Sequence, residues 1–165
     1  MPLLISDSNI LIDFESGGIL TKLFQLSHTL AVSDILFEEE LRERHSNLPE
    51  LGLQQLELKP GSMLRIVELA SLYRRPSRID LSALALAEQE KCVLLTGDNH
   101  LRKAAEAEKT VEVHGTLWVC DLLVKDEVLD VAALDAAYSV MKQHGRRLPW
   151  SEVSRQLARL RENQR

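Results

Sequence analysis

An α/β fold with a mostly parallel central sheet is what this sequence predicts, and three observations carry that expectation. Short apolar runs of strand length alternate with longer stretches of helical periodicity along the chain. Two of the runs, Leu3-Leu4-Ile5-Ser6 and Val93-Leu94-Leu95-Thr96-Gly97, lead directly into aspartates, Asp7 and Asp98. The 165 residues are enough for one domain with a real core and show no repeat, low-complexity segment or linker.

The elements follow in order. Leu3–Ser6 reads as a short buried strand, and Asn9–Phe14 as a helix broken by Gly17-Gly18. Ile19, Leu20, Leu23, Phe24 and Leu26 give a helical face, and Thr29–Val32 a second strand. Ser33 or Asp34 caps a helix reaching about Arg44, because a short side-chain oxygen satisfies the free N–H groups of a first turn. Leu53–Leu58 alternates in part and suits an edge strand, closed by Pro60-Gly61. A helical pattern of Met63, Ile66, Val67, Ala70 and Leu72 ends before Pro76, and Asp80 precedes the next, with Leu81, Leu84, Ala85, Leu86 and Ala87. Cys92–Leu95 is the clearest strand, followed by a helix over 99–108, a strand over 111–113 and a helix over 115–125. Asp130 caps a helix stopped by Gly145, and Trp150, Val153, Leu157 and Leu160 form a last amphipathic stripe after Pro149. The domain is expected to span residues 1–145, with residues 146–165 a basic amphipathic helix of the same domain.

Composition narrows the class. A hydrophobic fraction of 45% and a charged fraction of 27% are ordinary for a globular protein. No apolar run approaches bilayer length, and the N-terminal stretch is interrupted by Asp7, Asn9 and Asp13, so no membrane and a cytoplasmic location are expected. Cys92 and Cys120 lie too far apart for a zinc motif and read as reduced core residues. Residues 142–165 hold seven basic side chains against Glu152 and Glu162, a charge of +5; the whole chain carries −5, which leaves −10 on the remainder. Such a tail suits a polyanion, an acidic protein partner or simply a solvated helix face.

Parallel strands joined by right-handed crossovers put their C-termini on one edge, where open α/β sheets place their sites. Asp7 and Asp98 share that edge if their strands are neighbours, and Asp80 and Glu39 reach it from bordering helices. Carboxylates gathered in one small cleft repel each other unless a hard cation neutralises them, which points to Mg²⁺ or Mn²⁺. Of the consecutive Glu38, Glu39 and Glu40, successive side chains on a helix point about 100° apart, so one faces the cleft. The spacing from Ser33 and the i,i+4 relation to Ile35 favour Glu39.

The stretches Leu4–Leu11, Val32–Leu41, Ile79–Ala87 and Leu94–Ala104, with Val113-His114-Gly115-Thr116-Leu117, resemble the PIN-domain ribonucleases, especially the VapC-like toxins of toxin–antitoxin pairs. They span most of residues 1–125 and leave about 40 C-terminal residues outside the core motif. The resemblance implies a three-layer α/β/α sandwich and a Mg²⁺/Mn²⁺-dependent endoribonuclease leaving 5′-phosphate and 3′-hydroxyl ends. Asp7, Glu39, Asp80 and Asp98 match the family's metal-binding acids. Asn9 and Thr96 are expected to support those carboxylates, and Asn99 stands where some relatives carry another acid. RNA, a protein antitoxin and a second copy of the chain are the expected partners.

Arg74, Arg75 and Arg78 before Asp80, and Arg102 and Lys103 after Asp98, are the candidates for holding the RNA backbone. Tyr73 and Trp150 are candidates for stacking an unpaired base. Two rivals remain: a PIN-like fold used only to bind RNA or protein, and a phosphatase with a DxD nucleophile. The second is weakened by Asn9 in the second position of its motif.

Overall fold

The computed structural model describes residues 1–164. Five strands, β1 (Leu3–Ser6), β2 (Thr29–Ser33), β3 (Gln54–Leu56), β4 (Val93–Leu95) and β5 (Val113–His114), form one sheet in the order β3-β2-β1-β4-β5, and every pairing is parallel. Leu4, Ile5, Leu30, Ala31, Val32, Leu94 and Leu95 are buried, as a sheet covered on both faces requires. The chain winds outward from β1 through β2 to β3, then crosses to β4 and β5 on the other side. The winding direction therefore reverses between β1 and β4, and a crevice opens there at the C-terminal edge.

Among the described residues ten helices surround the sheet: α1 (Ser8–Ser16), α2 (Leu20–Leu23), α3 (Asp34–Leu36), α4 (Leu48–Leu51), α5 (Pro60–Leu72), α6 (Arg78–Glu90), α7 (Asn99–Glu108), α8 (Thr116–Lys125), α9 (Val131–Gln143) and α10 (Trp150–Asn163). Helix α6 packs over β1, β2 and β4, flanked by α3, α5 and α7, while α9 packs on α1 and α10. The result is the three-layer α/β/α sandwich. Helix α6 is the most buried, with every residue from Leu81 to Ala87 inside.

Most elements stand where periodicity puts them; the departures have local causes. The helix expected over Ile19–Leu26 is four residues long, because Phe24, Gln25 and Leu26 donate to carbonyls three residues back in tight turns. Ile19, Leu23 and Leu26 are buried regardless. The cap that starts α6 lies at Ser77, three residues before Asp80: the Ser77 hydroxyl accepts from the Asp80 N–H at 3.0 Å while the Asp80 carboxylate accepts from the Ser77 N–H at 3.1 Å. Strand β5 falls at Val113–His114 rather than 111–113, since pairing with Leu94 and Leu95 sets its register. Helix α4 has no counterpart in the sequence reading.

The C-terminal stripe is part of the same core: Val153, Leu157 and Leu160 are buried, and Gln156 bridges the Tyr138 hydroxyl, the Leu117 carbonyl and Asp121. Much of the tail's positive charge is spent internally, with Arg159 on Asp121, Arg161 on Asp135, and Lys142 over the Trp150 ring. Arg165 lies outside the described residues. Cys120 is fully buried and Cys92 half-buried; burial pushes their thiols up to about 12 and about 11, so neither is a nucleophile at neutral pH.

Candidate active site

Asp7 sits at the reversal point. Its N–H donates to the Leu95 carbonyl at 3.0 Å, which ties the end of β1 to the end of β4. Its side chain is 1% exposed. One carboxylate oxygen caps α1 by accepting from the Ile10 N–H at 3.0 Å; the other accepts from the Thr96 hydroxyl at 2.5 Å and the Gly97 N–H at 3.1 Å. Burial nevertheless pushes its pKa up to about 6, the three hydrogen bonds opposing that rise and the charge of Asp80 adding to it.

Thr96 joins two of the expected acids. Besides donating to Asp7, its hydroxyl accepts from the Asp98 N–H at 3.0 Å. Asp98 caps α7 through one oxygen, on the Leu101 N–H at 2.9 Å. Asp7, Asp80 and Asp98 thus all sit in the first turns or caps of helices, α1, α6 and α7, whose N-termini face the same edge. Capping and a role in the cleft do not compete here. Asp80 and Asp98 each commit one oxygen to their helix and hold a second.

The triplet Glu38-Glu39-Glu40 resolves differently from the expectation. After α3 the chain makes a π turn over Phe37–Leu41, and the Arg42 N–H reaches back five residues to the Phe37 carbonyl at 2.7 Å. All three glutamates are exposed, and with one extra residue in the turn it is Glu40 rather than Glu39 that comes within reach of Ser8. Glu40 accepts from the Ser8 hydroxyl at 3.2 Å, and its pKa is raised by burial and then by the charge of Asp80. Glu38 pairs with Arg42, and Glu39 is exposed without a recorded partner among the described residues. Glu40, not the expected Glu39, is thus the member of the triplet that bonds to Ser8 and lies in the field of Asp80.

The other expected residues divide. Asn9, expected as a support, takes no side-chain hydrogen bond among the described residues, but its Cβ lies 3.3 Å from where a side chain on Gly97 would begin, so Gly97 keeps the two turns in close approach. Asn99 is exposed near Asp98. Arg74, Arg75, Arg78 and Lys103 are exposed and carry no ion pair among the described residues. Tyr73 bonds to Glu108, and Trp150 packs edge-on against Tyr138, so neither stacking candidate is free.

Asp13, read from sequence as a cap or surface charge, is buried. It accepts from Arg146 Nε at 2.6 Å and from the Thr116 hydroxyl at 2.7 Å. This triad fastens the segment before α10 to α1 and to the start of α8. Between that strap and the β4–α7 turn lies a groove of ≈ 920 Å³ reaching Asp98. Arg146→Ala leaves a buried carboxylate with one partner lost, and an expected destabilisation of about 2 kcal/mol is measurable by urea unfolding. A change under about 0.5 kcal/mol, the usual range for surface substitutions, would show that the pair fixes nothing.

A divalent ion is tested by the donor set. Among the described residues no three acidic, His or Cys side chains converge closely enough to form a ready-made cage. The donors still fit a hydrated magnesium or manganese ion, which binds through one or two carboxylates and keeps several waters. Asp7 in particular is a carboxylate whose burial disfavours its charged form and raises its pKa, a penalty that a nearby cation would offset.

The family model described as DUF3368, a PIN domain, matches residues 3–162. No curated protein matches this chain. Among solved structures, a chain in the crystal structure of VapBC2 from Rickettsia felis bound to a DNA fragment from their promoter is similar at 16% identity. The likeness covers 68% of this chain and 98% of that one, with a TM-score of 0.47.

Proposed function

This chain belongs to the PIN-domain family, and from that premise we propose that it is a metal-dependent endoribonuclease acting as the toxin of a toxin–antitoxin pair. The observation that supports the nuclease reading above the others is Asp7. It is a buried carboxylate at the sheet's reversal point, held from β4 by Thr96 and Gly97, with Asp80 in its field and Glu40 in the field of Asp80. The toxin reading rests on the resemblance of the four motif stretches to VapC-like proteins.

In this mechanism one or two of the carboxylates of Asp7, Asp80, Asp98 and Glu40 would hold the ion directly, and the others would hold its waters. A bound Mg²⁺ or Mn²⁺ would activate the attacking water and neutralise charge on the leaving oxygen. Thr96 fixes the orientation of Asp7 and steadies the backbone of Asp98. Ser8 holds Glu40. No histidine takes a proton in this scheme; His100 is exposed on α7. Arg74, Arg75, Arg78, Arg102 and Lys103 supply positive charge on either side of the acidic cluster, where RNA phosphates approach.

A protein partner is supported by α5, which exposes Leu64, Val67, Leu72 and Met63 to solvent, an apolar face of the kind that marks association surfaces. An antitoxin is the proposed occupant, and a homodimer uses the same chemistry. No described helix is long and apolar enough to cross a membrane.

The test is cleavage of single-stranded RNA by the purified protein. Cutting is expected with Mn²⁺, abolished by EDTA and restored by excess Mn²⁺, with 5′-phosphorylated new ends. Undiminished cutting in EDTA would remove the metal from the reaction. RNA binding without any cutting would instead identify a binding module built on the same fold.

A further inference from the structure

The groove beside the acidic cluster has a composition that the cleavage chemistry alone does not use. It starts at Asp98, runs along the β5–α8 turn and is closed on its far side by the strap Gly145–Pro149. That wall is fixed in place, because Arg146 is pinned on the buried Asp13. On the floor, His114 from β5 and Trp118 from the first turns of α8 stack with ring centroids 4.2 Å apart and an interplanar angle of 5°. Both rings are partly exposed and both line the groove.

Two arginines that line the same groove have no ion pair among the described residues. Arg102 has no ion pair among the described residues, and its guanidinium lies over Gly115, where a side chain would begin only 3.1 Å from Nη2. Gly115 thus makes room for Arg102 between the acidic cluster and the rings. Arg147, on the strap, is exposed and likewise without an ion pair among the described residues. Glu106 and Glu152 line the same groove. Alternating cations and carboxylates around aromatic surface make a poor site for a bare polyanion. They suit a nucleotide, whose base stacks, whose phosphates take the arginines and whose amino and 2′-hydroxyl groups donate to carboxylates.

We propose that this groove binds unpaired RNA, one base stacked on the His114–Trp118 pair and the flanking phosphates on Arg102 and Arg147. The assignment deepens the ribonuclease reading and rests on it for the identity of the nucleic acid. Base-paired RNA does not offer its base faces, so the groove selects loops and single strands. Trp118 and Arg147 are substrate-positioning residues, outside the acidic cluster.

The experiment is fluorescence anisotropy of a short labelled oligouridylate with the full chain in EDTA, beside duplex RNA of equal length. Trp118→Leu, which keeps apolar packing, is expected to weaken binding about tenfold, and Arg147→Ala, fully on the surface, about threefold with a shallower salt dependence. Arg155→Ala on α10 is expected to leave binding unchanged. RNA is expected to quench tryptophan fluorescence in the parent but not in Trp118→Leu. Unchanged affinity in Arg147→Ala together with unchanged quenching, or equal affinity for duplex, overturns the assignment even if Trp118→Leu does not fold. Failure of the nuclease reading is separate: groove-dependent binding with no Mn²⁺-dependent cleavage retains this groove and removes the reaction, while cleavage with groove-independent binding does the reverse.

Discussion

Asp7→Asn is expected to abolish Mn²⁺-dependent RNA cleavage and, in the metal-free protein, to make the fold more stable at pH 8. Loss of a carboxylate held against the reacting phosphate should lower the rate by at least about a hundredfold, the scale seen when one preorganised electrostatic group is removed. The stability gain follows from the same burial. Asp7 has a folded-state pKa of about 6 against an ordinary 3.8. The folded chain therefore binds this proton more tightly than the unfolded chain does. Stability from this group is fully present below about pH 4, falls as the pH rises through about 6 and is flat beyond, a loss of about 3 kcal/mol.

The amide variant never ionises and does not suffer that loss. It does give up one acceptor among the contacts to Ile10, Thr96 and Gly97, which costs about 1 kcal/mol. A net gain of about 2 kcal/mol at pH 8 remains, turning into a small deficit at pH 4. Urea unfolding in EDTA at the two pH values measures it. Equal stability offsets at both would mean that burial does not penalise the Asp7 charge, and the argument for a cation at this carboxylate would go with it.

Glu40→Gln is expected to cut Mn²⁺-dependent activity by about a hundredfold, on the same electrostatic scale, and Glu39→Gln to leave it within about twofold. The two positions are neighbours with identical side chains, so the contrast isolates geometry from composition. What separates them is the π turn at Phe37–Leu41, which carries Glu40 to Ser8 and the field of Asp80. Initial rates on one RNA at saturating Mn²⁺ suffice, with circular dichroism to establish folding. A reversed order of the two variants would show that the helix regains α-helical register when RNA and metal are bound.

These two carboxylates also show how far sequence carried the site. Asp7 and Asp98 were legible because each ends an apolar strand run, and adjacent parallel strands bring such ends together. Thr96 was legible as a support from the turn in which it stands. Glu40 was not, since periodicity assumes one helical pitch and nothing in Phe37-Glu38-Glu39-Glu40-Leu41 announces a widened turn. Asp80 was legible as the acid opening α6, but not its reciprocal pairing with the Ser77 cap three residues earlier.

Asp13 escaped for a different reason. Its partner Arg146 is 133 positions away, and no local pattern reports a pairing at that range. The groove followed Asp13 out of reach, because its far wall is the strap that this pair holds. His114 and Trp118 stand four apart across a strand end and a helix start, a spacing that reads as ordinary packing until the backbone turns between them. The basic tail was visible as charge, yet its pairing with Asp121 and Asp135 needed the fold.

The central position of β1 has a temporal consequence. Its register with β4 joins Leu4 to Val93, and the bond from Thr96 to Asp7 closes over 89 positions. Contacts so distant along the chain form late and slowly. A polypeptide still emerging from the ribosome holds Asp7 without Thr96, and later holds both without the strap, so the surroundings of Asp7 are completed only after Thr96 and then Arg146 have been synthesised.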